Sequence, residues 1–321
     1  MNRERVAAAV LLLLALLLPA GCASTSRTTG IPTGAPEILY IETDTVWSGD
    51  VRIGGVVHVR KAATLTILPG TRVLFAKRTY PQAADSHEGF IGPGIRVEGR
   101  LVAAGTEESP VLFTSEGTPA PGSWDKILFT FSEGNRFERV VFEGARYAFH
   151  SHFSGIEVRD CVFRDNEEGV RLGTSRVRIE GSVFTRNVVR GINFRECRNT
   201  IRRNLIYGNG DGIFLHSKTE GSVLRENAIY GNRHFNLRLG DLHETDIDVS
   251  GNWWGTGDED AVRRTIHDGS STQGVGAARV APVLSAPPVT GAQIRGLRSR
   301  HAPRRGGTGA GVRLDRRRIL G

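Results

Sequence analysis

The chain has 321 residues, of which 40 are glycine, one is methionine and 7% are aromatic. Its formal net charge of +8 is uneven, because residues 293–321 carry a net +8 and residues 1–5 a net +1. The rest of the chain is close to neutral, so the charge gives no support to a nucleic-acid groove, and we expect no nucleic-acid partner.

The first 21 residues have the pattern of a signal peptide. Arg3 and Arg5 precede an apolar run from Val6 to Leu18, which is too short to cross a bilayer comfortably. The run ends at Pro19-Ala20-Gly21-Cys22. We therefore predict a cleaved segment over residues 1–21.

This ending resembles the lipobox of bacterial lipoproteins, although Pro19 stands where that family usually has leucine. The resemblance implies that Cys22 is lipidated and anchors the mature protein in a membrane. Ala23 resembles the signal for sorting to the outer membrane in a host with two membranes. Ordinary secretory cleavage without a lipid is the alternative.

Residues 22–44 hold many Ser, Thr, Gly and Pro and predict a flexible tether. From Val46 to Phe75, apolar and polar residues alternate as they do in short strands. Residues 77–94 interrupt the alternation as a loop of 18 residues. A loop of this length is either a binding element or a mobile insertion.

Residues 135–256 repeat a short phrase at a period of 21 to 25 residues. Apolar and polar residues alternate in each copy, which is the spacing of strands and not of helices. A leucine-rich repeat shares the period, but its Leu-x-x-Leu-x-Leu frame is absent. One copy cannot bury its apolar side alone, so we expect the copies to stack as coils. The recurring apolar positions are Phe142, Phe163, Phe184, Ile206, Ile229 and Trp254; Val158, Ile179, Ile201, Leu224 and Val249; and Phe149, Val170, Ile192, Ile213 and Leu237.

An asparagine recurs between these apolar positions, at Asn166, Asn187, Asn209 and Asn232. Asparagine side chains bond neighbouring backbone groups and tolerate positive φ, so we interpret the series as turn structure. A ligand-binding series is the alternative.

The repeats resemble those of right-handed parallel β-helix proteins, a group that includes carbohydrate-binding proteins and sugar hydrolases. Residues 251–256, Gly-Asn-Trp-Trp-Gly-Thr, are similar to the last coil of many such proteins, and residues 63–71 and 97–106 resemble their opening coils. The resemblance covers residues 45–288 and implies an all-β fold, a single β-helix of about 8–10 coils. It says little about function, because this fold hosts lyases, hydrolases, epimerases, adhesins and maturation factors.

Beyond the last coil, acidic residues 258–260 precede the apolar spacing of residues 261–266. This pattern predicts one short helix that caps the open end of the solenoid. Residues 289–321 are Arg-rich without periodicity and predict a disordered tail. The tail either contacts anionic phosphates or lipid headgroups through its charge or is simply solvated.

Cys161 and Cys197 fall at different points of neighbouring copies, so we expect buried free thiols, with a disulfide as the alternative. No Cys–His spacing resembles a metal site. We therefore expect neither a metal nor another cofactor.

The outward positions of the repeats form the candidate binding surface. If Val170 and Leu172 point inward, Arg171 points outward, and equivalent residues of successive coils lie behind one another. The resulting basic strip with one exposed aromatic ring suits an acidic glycan, because arginine pairs with carboxylates bidentately. The alternative is a solvated face whose arginines pair with Asp165, Glu167 and Glu168. The strip consists of His150, Arg171, Asn193, Arg195, Phe214, His216, Lys218 and Arg238.

The catalytic patterns of sugar-modifying β-helix enzymes are absent from the sequence. Neither the Asp-Asp and Gly-His-Gly patterns of polygalacturonase-like enzymes nor the Asp-Pro-His of alginate epimerases and lyases occurs. Asp241, Asp246 and Asp248 are the candidates for a calcium cluster like that of pectate lyases, but residues 246 and 248 alternate as on a solvated strand. His216 and Lys218 are the best candidates for a catalytic base.

We therefore expect a monomeric cell-envelope lipoprotein that binds or scaffolds a polysaccharide, without catalysis. One alternative is a polysaccharide lyase or glycoside hydrolase that acts on an acidic polysaccharide. Another is an envelope assembly or maturation factor.

Overall fold

The alternation of apolar and polar residues produces strands of two to eight residues that follow one another in sets of three. The computed structural model describes residues 37–77 and 89–288. In chain order the elements are β1 (Ile38–Ile41), β2 (Thr45–Trp47), β3 (Asp50–Ile53), β4 (Val56–Val59), β5 (Thr64–Ile67), β6 (Arg72–Phe75), β7 (Gly94–Val97), β8 (Arg100–Ala104), β9 (Val111–Ser115), β10 (Trp124–Thr130), β11 (Asn135–Glu138), β12 (Val140–Glu143), β13 (Ala145–His152), β14 (Gly155–Arg159), β15 (Val162–Arg164), β16 (Glu168–Gly173), β17 (Arg176–Glu180), β18 (Val183–Thr185), β19 (Arg190–Arg195), β20 (Thr200–Arg202), β21 (Leu205–Tyr207), β22 (Asp211–Ser217), β23 (Val223–Arg225), β24 (Ala228–Tyr230), β25 (Leu237–Leu242), β26 (Ile247–Asp248), α1 (Glu259–Arg263), β27 (Ile266–His267) and β28 (Ala278–Arg279).

Successive turns of the chain contribute strands to three parallel sheets. Sheet A has ten strands in the order β1-β4-β7-β10-β13-β16-β19-β22-β25-β27. Sheet B has eight, β2-β5-β8-β11-β14-β17-β20-β23, and sheet C has eight, β3-β6-β9-β12-β15-β18-β21-β24. Strands β26 and β28 form a separate pair. The chain is thus a right-handed parallel β-helix of about nine turns, which confirms the predicted fold class.

Apolar ladders fill the interior of the coil. Phe113, Phe142, Phe163 and Phe184 stack along the axis with neighbouring ring centroids 4.6–5.0 Å apart. Coils in register cover one another's apolar side, as the repeat predicted. A second predicted ladder, on sheet A, is also in register and buried: Phe149, Val170, Ile192, Ile213 and Leu237.

The recurring asparagines stabilise the corner that leads from sheet C into sheet A. The backbone N–H of Asn166 donates to Oδ1 of Asn187 at 3.3 Å, and that of Asn187 donates to Oδ1 of Asn209 at 3.1 Å. The Nδ2 group of Asn187 donates to the carbonyl oxygen of Phe163 in the preceding coil at 3.1 Å. These bonds satisfy backbone groups that the corner removes from the sheets, so the interpretation as turn structure is confirmed.

The C-terminal end carries the predicted helix. Asp258 caps α1 by accepting hydrogen bonds from the backbone N–H groups of Asp260 and Ala261, and Val262 is buried against the last coils. An aspartate side chain at this position satisfies backbone N–H groups that have no acceptor within the helix. The prediction of one short capping helix is therefore confirmed.

The first coil begins earlier than the sequence indicated. Strand β1 starts at Ile38, so the predicted tether of residues 22–44 overlaps the first strand of sheet A. Cys161 and Cys197 are free and buried, as expected. Within the described residues, no helix is both long and apolar enough to cross a membrane. The signal peptide, Cys22, the tail of residues 289–321 and residues 78–88 of the predicted loop lie outside the described residues.

Candidate functional site

The predicted strip lies on the outer face of sheet A, and its central column is in register. His150 lies beside Arg171 of the next strand, and Arg171 lies beside Asn193. The column continues through Phe214 to Arg238. Val170 and Leu172 are buried on either side of Arg171, whose side chain remains partly accessible. The inside–outside assignment made from the alternation is therefore confirmed.

Several side chains of the strip are less exposed to solvent than the alternation of apolar and polar residues predicted. Phe214 is only 8% exposed, because the guanidinium of Arg190 lies 4.1 Å from its ring centroid and that of Arg238 lies 5.8 Å away. The expectation of an exposed aromatic ring at Phe214 was wrong. A long side chain on the adjacent column shields the ring, and cation–π attraction favours that placement. His150 and Asn193 are also buried although they stand on the outer face.

A hollow opens beside the central column, and we call it the sheet A site. His150 and His152 line one part of it, and their Nε2 atoms form a hydrogen bond at 3.0 Å. Gly173 leaves the space open, because a Cβ atom there would lie 3.2 Å from Nδ1 of His152. The hollow is lined by His150, His152, Arg171, Leu172, Gly173, Asn193, Arg195 and His216.

Two of the acidic residues that the alternative assigned to the strip bond to side chains other than Arg171 and Arg195. Glu168 accepts from Nη1 of Arg190 at 3.1 Å and from Nδ2 of Asn193 at 3.0 Å. Asp165 accepts from Arg186 at 2.7 Å. Within residues 37–77 and 89–288, Asp165 and Glu168 thus pair with Arg186 and Arg190, and neither Arg171 nor Arg195 forms an ion pair with them.

Arg171 is held in place by an aromatic ring. Its guanidinium lies 5.3 Å from the ring centroid of Tyr147, and Nη1 donates to the Tyr147 hydroxyl at 3.3 Å. Neither Arg171 nor Arg195 forms an ion pair with any residue of the described parts of the chain. The sheet A site therefore presents two guanidinium groups that are available to an anion.

The electrostatic field of the site acts on its histidine. Burial lowers the pKa of His216, and the positive charges of Arg195, Arg171 and Arg190 lower it further, against a smaller opposing effect of Glu196. The imidazole is therefore neutral near pH 7. Burial is the larger cause, and the three arginines add a positive potential that an anionic ligand would offset.

Two members of the predicted strip lie at its margins. Lys218 follows the end of β22 at an exposed corner with φ 47°, and it is not among the residues that line the hollow. Arg238 lies one coil beyond Phe214 and packs over that ring. His152, which the pattern analysis missed, lines the hollow, and its i, i+2 spacing from His150 on a strand would have placed it on the same face.

The acidic residues near the C-terminus do not converge. Asp248 pairs with Arg225 at 2.5 Å, and Asp246 accepts from the backbone N–H of Ala277 at 2.9 Å. Among residues 37–77 and 89–288, no group of three or more His, Cys, Asp or Glu side chains is placed to hold a metal ion. The calcium cluster that Asp241, Asp246 and Asp248 would have formed therefore has no counterpart in this part of the chain.

A second hollow lies along sheet B, and its arginines differ from those of the sheet A site. Arg176 pairs with Glu133 at 3.2 Å, and Arg136 lies 3.6 Å from Glu157. Both pairs are solvent-exposed. Arg198 also lines this hollow and forms no ion pair with any residue that the structure describes, so sheet B presents one unpaired guanidinium where the sheet A site presents two. Arginines that already have carboxylate partners are poor candidates for an anionic ligand, so the sheet A site is the better candidate.

A family model described as periplasmic copper-binding protein (NosD) matches residues 81–253, which is more than half of the chain. The fold is similar to the crystal structure of the periplasmic alginate epimerase AlgG, with a TM-score of 0.47, 14% identity and coverage of 77% of this chain and 68% of that one. A mutant of the same enzyme gives a TM-score of 0.48, 12% identity and coverage of 77% and 74%. Curated protein sequences gave no match. At these identities the likeness to the solved structures concerns the fold alone.

Proposed function

The chain belongs to the family of the periplasmic copper-binding protein NosD, and from this premise we propose that it is a non-catalytic periplasmic protein that binds an acidic polysaccharide at the sheet A site. The observation that carries the proposal is the pair Arg171 and Arg195, two guanidinium groups without acidic partners in the described residues. A uronic acid carboxylate is the bidentate acceptor that such groups favour.

The rest of the hollow is suited to sugar hydroxyl groups. His216 offers a ring nitrogen that donates or accepts, and Asn193 offers an amide oxygen, since its Nδ2 group is engaged by Glu168. Arg171 and Arg195 stand in adjacent coils, which are about 4.8 Å apart in a parallel sheet. The regular coil spacing supports binding of a polymer that lies along the axis of the coil.

Binding of oligosaccharides measured by isothermal titration calorimetry tests the proposal. We expect oligouronates to bind and neutral oligosaccharides of the same length to bind at least tenfold more weakly. Removing one charge-assisted contact costs about 1.5–3 kcal/mol, so R171A and R195A should each weaken binding roughly tenfold or more. The matched control is R176A on sheet B, whose guanidinium is already paired with Glu133. Equal affinities of R171A, R195A and the native protein would refute the proposed site.

Attachment to the outer membrane through Cys22 is a separate part of the proposal. It is supported by the resemblance of residues 19–22 to a lipobox. In cells fed a radiolabelled fatty acid, the native protein should be labelled and a C22S variant should not. Label on both proteins, or on neither, would contradict lipidation at Cys22.

Copper binding is the second candidate function, because the family description names it and one pair of side chains favours it. The Nε2 atoms of His150 and His152 converge to 3.0 Å, and imidazole is a good copper ligand. The two rings would supply two of the ligands, and water or a bound partner would supply the others. Nitrogen hyperfine structure in the electron paramagnetic resonance spectrum of added Cu²⁺ should disappear in H150A/H152A and persist in H243A. A spectrum unchanged in H150A/H152A would exclude the pair.

A polysaccharide lyase or hydrolase remains the catalytic alternative, with His216 as its base. Glycosidases need a pair of carboxylates across the scissile bond, and the residues that line the sheet A site include none. Release of unsaturated or reducing ends from a uronic acid polymer, lost in H216Q, would establish this alternative. The third alternative, an envelope maturation factor, would require a protein partner recovered by cross-linking in the periplasm.

A further inference from the structure

Two phenylalanines project into solvent at the corner between sheets A and B. Phe131 and Phe153 lie in adjacent coils and are 68% and 51% exposed. Their ring centroids are 4.8 Å apart and their planes differ by 6°. They form a stacked aromatic pair that contributes nothing to the interior of the coil, so packing of the core does not account for it.

The backbone at this corner makes the choice of phenylalanine unusual. Phe131 has φ 51° and Phe153 has φ 50°, in the left-handed region that bulky residues rarely adopt. In the described part of the chain, eleven residues other than glycine have positive φ, and nine of them are polar or charged. The corner geometry therefore does not call for an aromatic side chain, and strained residues of this kind concentrate at binding sites.

The ring faces at the ends of the stack are open. The position equivalent to Phe131 in the preceding coil is Gly99, and the position equivalent to Phe153 in the following coil is Thr174. Neither residue has a side chain large enough to cover a benzene ring. One face of Phe153 is therefore available above Thr174.

That open face adjoins the sheet A site. His152 immediately precedes Phe153, and Thr174 immediately follows Gly173, the residue that keeps the hollow open. The distance along the axis between the coil of Phe153 and the coil of Arg171 is one coil spacing, about 4.8 Å. A chain of sugars held by Arg171 and Arg195 would meet the ring of Phe153 at its next unit.

We propose that Phe153, supported by Phe131, is a stacking subsite for a pyranose ring of the polysaccharide, so that the chain of sugars leaves the sheet A site over this corner. The apolar C–H face of a pyranose is the complement of an exposed aromatic face with polar surroundings. This inference rests on the proposed function, because it assigns the subsite to the same ligand.

The test compares F153N with F153W in the full-length protein. Asparagine tolerates positive φ, so F153N should keep or raise the thermal midpoint of the protein. It should weaken binding of an oligogalacturonate longer than three units roughly tenfold, whereas F153W should bind it at least as well as the native protein. A disaccharide, which is too short to reach both subsites, should bind native protein and F153N equally.

The outcomes separate this inference from the proposed function. If R171A and R195A abolish binding and F153N leaves it unchanged, the sheet A site stands and the stacking subsite is refuted. If neutral oligosaccharides bind in a manner that needs Phe153 but not Arg171, the subsite stands and the acidic ligand class is refuted. If F153N instead dissociates a dimer seen by analytical ultracentrifugation, the pair is an interface between copies of the chain, and the subsite is refuted.

Discussion

Sheets A and B carry arginines at comparable density on their outer faces, but the two faces use them differently. On sheet B, Arg178 and Arg203 both contact Glu180, at 3.0 Å and 3.3 Å, so positive and negative charges alternate and cancel. On sheet A, Glu168 is taken by Arg190, and Arg171 and Arg195 remain without acidic partners in the described residues. The composition of the two faces therefore does not separate them, whereas the pairing of their charges does.

The largest expected effect concerns the buried carboxylate on sheet A. Glu168 is 5% exposed at its side chain, and its removal in E168A would leave Arg190 and Asn193 without their acceptor. We expect a loss of about 3 kcal/mol in the free energy of unfolding, as for a broken buried pair. Urea denaturation measures this loss. The matched change on sheet B, E180A, removes an exposed pair and should cost less than about 1 kcal/mol. Equal losses would erase the distinction between the two faces.

The second-largest expected effect is a loss of ligand affinity with little change in the free energy of unfolding. Arg171 contacts the ring and the hydroxyl of Tyr147 but, like Arg195, forms no ion pair within the described residues. The double variant R171A/R195A should therefore lose no more than about 1 kcal/mol in the free energy of unfolding, the size of one exposed cation–π contact, while its affinity for oligouronates is lost. The corresponding change at paired arginines, R176A/R178A, should lower stability slightly and leave the affinity unchanged. Loss of both properties in R171A/R195A would mean that the two arginines are structural.

The third effect is a dependence of binding on pH. In the free protein the pKa of His216 is lowered, so the folded state binds fewer protons than the unfolded state below about pH 6.5. The contribution of His216 to stability is therefore complete above that pH and is lost as the pH falls through the lowered pKa.

A bound carboxylate acts in the opposite direction, because it raises the pKa of His216 and couples binding to proton uptake. Affinity for an oligouronate should increase severalfold between pH 7.5 and pH 5.5, and calorimetry in buffers of different ionisation enthalpy should detect the proton. H216Q should remove this dependence. A pH dependence that H216Q retains would assign it to His150 or His152 instead.

The smallest effect is expected at the margin of the predicted strip. Lys218 lies at an exposed corner past the end of β22, outside the lining of the sheet A site. K218A should therefore change affinity by less than about twofold, the range of a distant, screened charge. A tenfold loss would move the site toward the corner and weaken its contrast with sheet B.

Several features of the fold were readable from the repeat. A period in the twenties with alternating apolar residues placed Phe142, Phe163 and Phe184 in one ladder, and the structure stacks their rings in neighbouring pairs. The recurring asparagines were correctly assigned to corners, where Oδ1 of Asn187 accepts from and its Nδ2 donates to backbone groups of the preceding coil. The positive φ that asparagine tolerates falls instead on the residue before each one, such as Arg186. The capping helix was predicted from acidic residues 258–260, of which Asp258 is the cap.

The candidate site was only partly readable. The alternation placed Arg171 outside and in line with His150 and Asn193, but it could not show that Arg190 covers Phe214. Whether Arg190 shields the Phe214 ring depends on the direction that its long side chain takes from the adjacent strand. The sequence also gave no means to tell which carboxylate pairs with which arginine, and the pairing decides the charge of the site.

The sequence by itself determined the winding of the chain, since the register of a parallel coil follows from the spacing of its apolar residues and a shift of one residue would reverse every side chain. Only the tertiary structure decided which arginines have no acidic partner among the described residues and which aromatic ring is exposed to solvent. Those properties arise between residues about 20 positions apart in the chain, such as Arg190 and Glu168 or Phe153 and Phe131, and they depend on distances of a few ångströms that no linear pattern encodes.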